Sequence, residues 1–219
     1  MIAENFINES VLPLKLSDTV DRALEWMEEQ KVSCLPIVKD FQLIGLVNEA
    51  YLLEHQNLPL KETGLEFRKI ACKSSDHIFD VVRIISQYNV TLIAVLDEKE
   101  NYIGSVKTED IFKWFCKQAA FQQEGGIIVL KINQNNYSLS QISQIVESND
   151  SKILYSSILN NNTDPTQLKV ILKINKQDIT RLIASFERYE YSIEATFNFG
   201  SIRNQTQERL DNLIKFIDM

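Results

Sequence analysis

The feature that most constrains the fold of this chain is an internal repeat in its first half. Residues 16–53 and 74–112 carry the same series of polar and apolar positions at an offset of 58 residues, which becomes 59 after one residue is inserted in a turn. The matched pairs include Ser17 and Ser75, Asp18 and Asp76, Val32 and Val90, Ile37 and Val95, and Gly45 and Gly104. Self-similarity at a fixed period predicts one structural unit that is used twice.

Each copy predicts the same order of elements. A Ser-Asp pair is typical of a helix N-cap, where side-chain oxygens accept hydrogen bonds from free backbone amides. Apolar residues then recur at helical spacing, and they are Val20, Ala23, Leu24 and Met27 in the first copy and Ile78, Val81, Val82 and Ile85 in the second. The strands "CLPIV" and "LIGLV", or "LIAVL" and "YIGSV", and a second helix complete a β-α-β-β-α unit. Because one copy alone leaves its apolar helix face uncovered, we expect the two copies to pack together.

This duplicated pattern resembles a pair of CBS domains, the tandem regulatory module that is also called a Bateman module. The resemblance covers roughly residues 1–120, and it rests on "SDTVDRALEWMEEQKVSCLPIV" with "IGLV" in the first copy and on "IGSVKTED" in the second. It implies a first CBS repeat over residues 1–58 and a second over residues 59–122. An unrelated α/β duplication is the alternative.

The resemblance also implies a ligand site with the pattern Gly, two residues, Thr or Ser, two residues, Asp. A helix that begins after such a strand directs free N–H groups at an anion, and an Asp in its first turn can accept from two ribose hydroxyls. In the second copy these places hold Gly104, Lys107 and Asp110. Lys107 lacks the hydroxyl of the pattern, but Thr108 follows it directly. Since similar proteins bind AMP, ADP, ATP or S-adenosylmethionine, we expect an adenine nucleotide near Asp110. The alternatives are a solvated helix residue for Asp110 and a surface charge in a turn for Lys107.

The first copy departs from this pattern at two of the three places. They hold Gly45, Asn48 and Tyr51. Asn48 can still cap the helix that follows, but the phenol of Tyr51 cannot replace a carboxylate against a ribose diol. We therefore expect at most one of the two sites to keep the ribose acceptor.

The C-terminal part predicts a second domain, with its boundary at a hinge formed by Gly125-Gly126. Residues 126–199 predict β-α-β-β-α-β, the ferredoxin-like order, and resemble an ACT domain, a small regulatory fold that commonly dimerises and often binds amino acids. The turn "NQNNYS" at 133–138 lacks the Gly and Pro of that family, so a polar turn with a helix cap is the favoured interpretation there. Residues 200–219 predict an amphipathic helix. The whole order is similar to that of acetoin-utilisation protein B-like proteins.

Composition narrows the class of function. The formal net charge of −7 disfavours nucleic acid and anionic membranes as partners, and neither a signal peptide nor an apolar run of membrane-spanning length is evident. Three widely spaced cysteines predict reduced thiols and a cytoplasmic protein. Since no HExxH, GxSxG or Gly-rich phosphate loop is present, we predict a non-catalytic regulatory sensor that acts as a homodimer on an unidentified downstream protein. The alternative is a dimeric structural or protein-interaction module with degenerate ligand sites.

Overall fold

The computed structural model describes residues 1–55, 58–64, 66–160 and 164–197 of this 219-residue chain. It divides into two compact units, Met1–Phe115 and a second unit that begins at Cys116. The amphipathic helix predicted over residues 200–219 lies outside the described residues.

The first unit contains the two copies of the repeat, one after the other. The first copy comprises α1 (Val20–Gln30), β1 (Cys34–Lys39), β2 (Gln42–Asn48) and the short α2 (Glu49–Leu52), and the second comprises β3 (Ala71–Lys73), α3 (Ile78–Tyr88), β4 (Leu92–Leu96), β5 (Tyr102–Lys107) and α4 (Thr108–Cys116). Helices α1 and α3 have the same length and are 58 residues apart, as the repeat predicts. The strand that would match β3 in the first copy is an isolated parallel bridge between Leu14 and Ile37.

The two copies share one hydrophobic core, which confirms that they pack together. The buried set includes Val20, Met27, Leu35 and Ile37 from the first copy and Ile78, Val81, Leu92 and Ile93 from the second. Equivalent residues also meet directly between the copies. The backbone N–H of Ser33 donates to the hydroxyl of Thr91 at 2.8 Å, and the two hydroxyls lie 3.1 Å apart. Because Thr91 follows Ser33 by 58 residues, the copies contact each other at matching positions.

The helix caps differ from the prediction. Thr19 and His77, rather than the Ser-Asp pairs, are the N-cap residues of α1 and α3. The carboxylates of Asp18 and Asp76 instead point back along the chain, and each accepts at 2.8 Å from a backbone N–H three residues earlier. These carboxylates close the turn before each helix, so a different side chain satisfies the first helical amides.

The second unit is built on a four-stranded antiparallel sheet. Its elements are α5 (Ala119–Gln122), β6 (Ile127–Asn133), α6 (Leu139–Ser148), β7 (Ile153–Asn160), β8 (Gln167–Ile174), α7 (Thr180–Arg188) and β9 (Ser192–Phe197), and the strand order in the sheet is β7-β8-β6-β9. From β6 onward the element order is β-α-β-β-α-β. One face of the sheet packs on α6 and α7 around a core of Ile128, Leu130, Ile142, Val146, Val170, Leu172, Leu182 and Phe186.

The glycine pair that was predicted to be a hinge is held against β8. The N–H of Gly126 donates to the carbonyl of Lys176 at 2.7 Å, and its carbonyl accepts from Ile174 at 2.8 Å. A Cβ atom on Gly125 would lie 1.9 Å from the carbonyl oxygen of Ile174. Glycine is therefore required at 125 because two backbone segments approach closely there.

Candidate functional site

Two equivalent clefts lie where β2 leads into α2 and where β5 leads into α4. We name them the first cleft and the second cleft, after the copy of the repeat that contributes the strand and helix. A backbone segment crosses each of these strands. The N–H of Leu46 donates to the carbonyl of Arg68 at 2.8 Å in the first cleft, and the N–H of Asn8 donates to the carbonyl of Ser105 at 2.8 Å in the second. Residues 66–70 and 6–10 thus form matching walls of the two clefts.

The repeated glycines make these crossings possible. A Cβ atom on Gly45 would lie 2.7 Å from the backbone carbon and oxygen of Phe67, and one on Gly104 would lie 2.5 Å from the Cγ2 atom of Ile7. Real Cβ atoms do not approach other heavy atoms so closely, so each glycine admits the segment that crosses it.

The carboxylate of Asp110 already has partners in the second cleft. The side-chain amide of Asn8 donates to Oδ2 of Asp110 at 2.6 Å, and the ammonium group of Lys113 lies 3.9 Å from Oδ1. The Asp110 side chain is 28% exposed, so a ligand can reach it.

Lys107 is buried rather than a surface charge in a turn, and it belongs to the same polar network. Its ammonium group donates to Oε1 of Gln30 at 3.5 Å, and the Ser10 hydroxyl lies 3.4 Å from the same atom. The Ser10 hydroxyl also donates to Oδ1 of Asn8 at 2.5 Å. Gln30, Ser10 and Asn8 therefore connect Lys107 to Asp110.

Thr108 lies apart from this network. It begins α4, and its N–H donates to the carbonyl of Thr91 at 3.0 Å. Its hydroxyl donates to the carbonyl of Val90 at 3.3 Å. The structure therefore links Lys107 to Asp110 only through intermediate side chains, whereas the Thr108 hydroxyl caps a backbone carbonyl.

A cavity of about 460 Å³ occupies the first cleft. It is lined by Cys34, Leu46, Val47, Asn48, Tyr51, Glu66, Phe67, Arg68, Ile70, Tyr88 and Val90. The prediction that Asn48 caps the following helix is confirmed, because its side-chain oxygen accepts from the N–H of Ala50 at 2.9 Å. The sequence pattern indicated Asn48 and Tyr51 at this place but not Arg68 and Tyr88. The repeat could have indicated Tyr88, which lies 58 residues after Gln30, but no local pattern indicates Arg68.

The thiol in this cavity is protected by burial. Desolvation raises the pKa of Cys34, and it raises the pKa of Cys72, in the core of the same unit, to about 12. Both thiols therefore remain protonated at neutral pH, and Cys34 offers a small apolar surface to the cavity instead of a nucleophilic thiolate.

We expect iodoacetamide at pH 8 to modify Cys116, which is half-buried, much faster than Cys34 or Cys72. Peptide mass spectrometry of the folded protein checks this, and the protein unfolded in guanidinium is the control in which all three cysteines react. Rapid labelling of Cys34 or Cys72 in the folded state would contradict it.

Since the unfolded chain loses the Cys72 proton near pH 9 and the folded chain near pH 12, burial of this thiol makes stability fall as the pH rises between these values.

The described part of the chain contains no group of three or more His, Cys, Asp and Glu side chains placed to hold a metal ion. No helix within it is long and apolar enough to span a membrane.

Comparison with known proteins identifies the repeat. Residues 3–57 and 67–117 match the family model described as the CBS domain. Inosine-5′-monophosphate dehydrogenase of Korarchaeum cryptofilum is 27% identical over 112 residues, which are 50% of this chain and 23% of that enzyme. The chain thus matches less than a quarter of the length of this relative.

Solved structures resemble about half of the chain. The structure of CBSX2 in complex with AMP is 20% identical, with a TM-score of 0.46 over 53% of this chain and 96% of that one. A CBS domain pair/ACT domain protein from Thermotoga maritima is 17% identical, with a TM-score of 0.46 over 54% of this chain and 99% of that one.

Proposed function

Because its first unit carries two CBS domains, we propose that this chain is a non-catalytic regulatory module whose CBS pair binds an adenine nucleotide or S-adenosylmethionine and signals through a homodimer to a downstream protein. The observation that carries the proposal is Asp110, a partly exposed carboxylate in the first turn of a helix that follows directly on a strand. A carboxylate placed in this way can accept hydrogen bonds from both hydroxyls of a ribose.

Four residues have distinct roles in the second cleft, two that shape it and two that contact the nucleotide. Gly104 lets residues 6–10 cross β5, Thr108 fixes the start of α4, and Asp110 accepts from the ribose. Lys107 supplies a cation within the network that ends at Asp110, and it can offer its charge to a phosphate when Gln30 turns away. The Asn8 amide occupies one acceptor position on the Asp110 carboxylate, and a carboxylate has about four, so the remaining positions can accept from the ligand.

Replacing Asp110 with alanine is expected to weaken ribonucleotide binding in the second cleft about 10- to 100-fold, because a hydrogen bond to a charged group contributes about 1.5–3 kcal/mol. Isothermal titration of the wild type and Asp110→Ala with AMP, ADP, ATP and S-adenosylmethionine measures the change. Glu109→Ala is the matched control, since Glu109 lies in the same helical turn but is exposed and pairs with Lys113. Equal effects of both substitutions, or no heat with any ligand at millimolar concentration, would contradict the proposed site.

The second unit supports the regulatory assignment. Its β-α-β-β-α-β order and its antiparallel sheet fit an ACT-like domain, as in the acetoin-utilisation protein B-like arrangement. Edge strand β7 leaves Tyr155, Ile158 and Leu159 partly exposed, so it offers apolar surface to a second copy. At 133–138 the favoured interpretation was a polar turn with a helix cap, and there Ser138 caps α6 and Asn133 caps the short turn before it.

A second candidate function is a structural or protein-interaction module without a ligand. It is favoured by the hydrogen bond from Asn8 to Asp110, which satisfies the carboxylate in the absence of a nucleotide, and by Tyr51 at the equivalent place. Sedimentation analysis with and without nucleotide distinguishes the two candidates. A regulatory sensor changes its assembly or shape with the ligand, whereas an interaction module remains the same dimer.

A further inference from the structure

We propose that the first cleft is a ligand site of a different selectivity, which takes a planar aromatic anion of mononucleotide size without reading a ribose diol. This inference rests on the proposed ligand-binding function of the CBS pair, but it concerns the other cleft and does not depend on Asp110. The sequence pattern alone predicts no ribose site in this cleft, because Tyr51 stands at the place of the carboxylate.

The cavity has the dimensions and the lining of a small-molecule site. Its volume of about 460 Å³ lies within the range of about 300–1,000 Å³ that is typical of ligand pockets. Cys34, Val47 and Val90 are buried and give it an apolar inner surface. Polar and aromatic side chains surround this surface, which is the usual arrangement of a pocket that holds an organic ligand.

The aromatic side chains of the lining favour a flat ring. Tyr51 is 65% exposed and Tyr88 is 45% exposed, while Phe67 is partly buried against the core. Exposed tyrosine rings beside an apolar cavity can cover a planar ligand from its edges or faces while their hydroxyl groups remain in water. Tyr88 occupies the place that Gln30 holds in the second cleft, so the first cleft has an aromatic ring where the second has an amide.

The charge of the lining favours an anion. Arg68 is exposed and, within the described residues, no carboxylate lies within 4.0 Å of its guanidinium group. A guanidinium donates two parallel hydrogen bonds to a phosphate or carboxylate. Arg68 occupies the place of Asn8, because their backbones cross equivalent positions of β2 and β5. Glu66 also lines the cavity, and its carboxylate disfavours a second anionic group on the ligand.

The comparison of Tyr51 with Asp110 predicts what the first cleft does not recognise. A carboxylate accepts hydrogen bonds from two neighbouring hydroxyls, whereas the single phenol oxygen of Tyr51 cannot hold a diol in that way. Asn48 uses its side-chain oxygen to cap α2, which leaves its amide group to donate. We therefore expect a ligand that lacks one ribose hydroxyl to bind as well as the complete ribonucleotide.

The test uses AMP, 2′-deoxy-AMP and adenine as probes and the full chain with Asp110→Ala as the background, so that the second cleft is weakened. Isothermal titration is expected to show AMP and 2′-deoxy-AMP binding within about twofold of each other, since no carboxylate holds the diol. Adding Arg68→Ala is expected to weaken AMP about tenfold or more and to leave adenine unchanged. Adding Tyr51→Asp is expected to create a preference for AMP over 2′-deoxy-AMP.

Lys69→Ala is the matched control, because Lys69 is the neighbouring exposed cation and does not line the cavity. Equal effects of Arg68→Ala and Lys69→Ala, or a strong preference of the Asp110→Ala protein for AMP over 2′-deoxy-AMP, would overturn the inference. Complete loss of AMP binding in Asp110→Ala also overturns it while supporting the second cleft. AMP binding that Asp110→Ala does not change, but Arg68→Ala removes, supports the first cleft and contradicts the proposed site at Asp110.

Discussion

Replacing Phe186 with alanine is expected to destabilise the second unit by about 3–5 kcal/mol, the range found when a buried Phe is truncated. Phe186 is fully buried on α7, and its ring packs edge to face against Tyr191 with the ring centroids 5.5 Å apart. The substitution removes apolar area from the core and leaves a cavity beneath the helix. Because domains are stable by only about 5–15 kcal/mol, this loss removes much of the stability of the unit.

Urea denaturation followed by circular dichroism measures the change in the free energy of unfolding. Phe197→Ala is the matched control, because it is the same substitution in the same unit at a side chain that is 58% exposed. Exposed positions usually change stability by no more than about 0.5 kcal/mol. Similar effects of the two substitutions would contradict the packing of α7 on the sheet that is described above.

The repeat made the first unit predictable because its evidence is periodic and local. Apolar residues at helical spacing define α1 and α3, and the fixed offset transfers each assignment from one copy to the other. Two segments that agree at matched positions support each helix more strongly than either segment does alone. The first strand of the first copy was overpredicted, since Leu14 makes a single bridge there.

The helix caps were not predictable to the residue. Ser, Thr and Asp all accept hydrogen bonds from free amides, so their presence near a helix start does not say which amide each one takes. Here Asp18 accepts from Lys15, behind it, and Thr19 is left to cap α1. The choice depends on the turn that precedes the helix, which the sequence pattern does not specify.

The clefts were predicted in part. Their strands and helices follow from local sequence patterns, whereas their walls come from segments that are remote in the sequence. The position of Asp110 follows from its own helix, whereas its partner Asn8 is 102 residues away in the sequence. Arg68 reaches the first cleft because its backbone crosses β2, and no periodic pattern marks that crossing. Contacts of this kind depend on the packing of segments that are remote in sequence, so a single sequence does not reveal them.

Replacing Gly45 with alanine is expected to disturb both the stability of the first unit and its first cleft. The added Cβ atom would lie 2.7 Å from the backbone of Phe67, which cannot move aside by rotating a side chain. Overpacking of this kind costs about 1–3 kcal/mol. Displacing residues 67–68 also breaks the hydrogen bond from Leu46 to Arg68, which adds about 1 kcal/mol. The guanidinium of Arg68 then no longer lies at the cavity.

Two measurements on the same protein separate these effects. Urea denaturation gives the loss of stability, and titration with AMP in the Asp110→Ala background gives the loss of the first cleft at a temperature where the protein is still folded. Lys39→Ala on the neighbouring strand is the control, because its side chain is exposed and lies away from the crossing. A Gly45→Ala protein as stable as the wild type would show that the segment at Phe67 does not lie against β2. A destabilised protein with unchanged AMP binding would show instead that the position of Arg68 does not depend on Gly45.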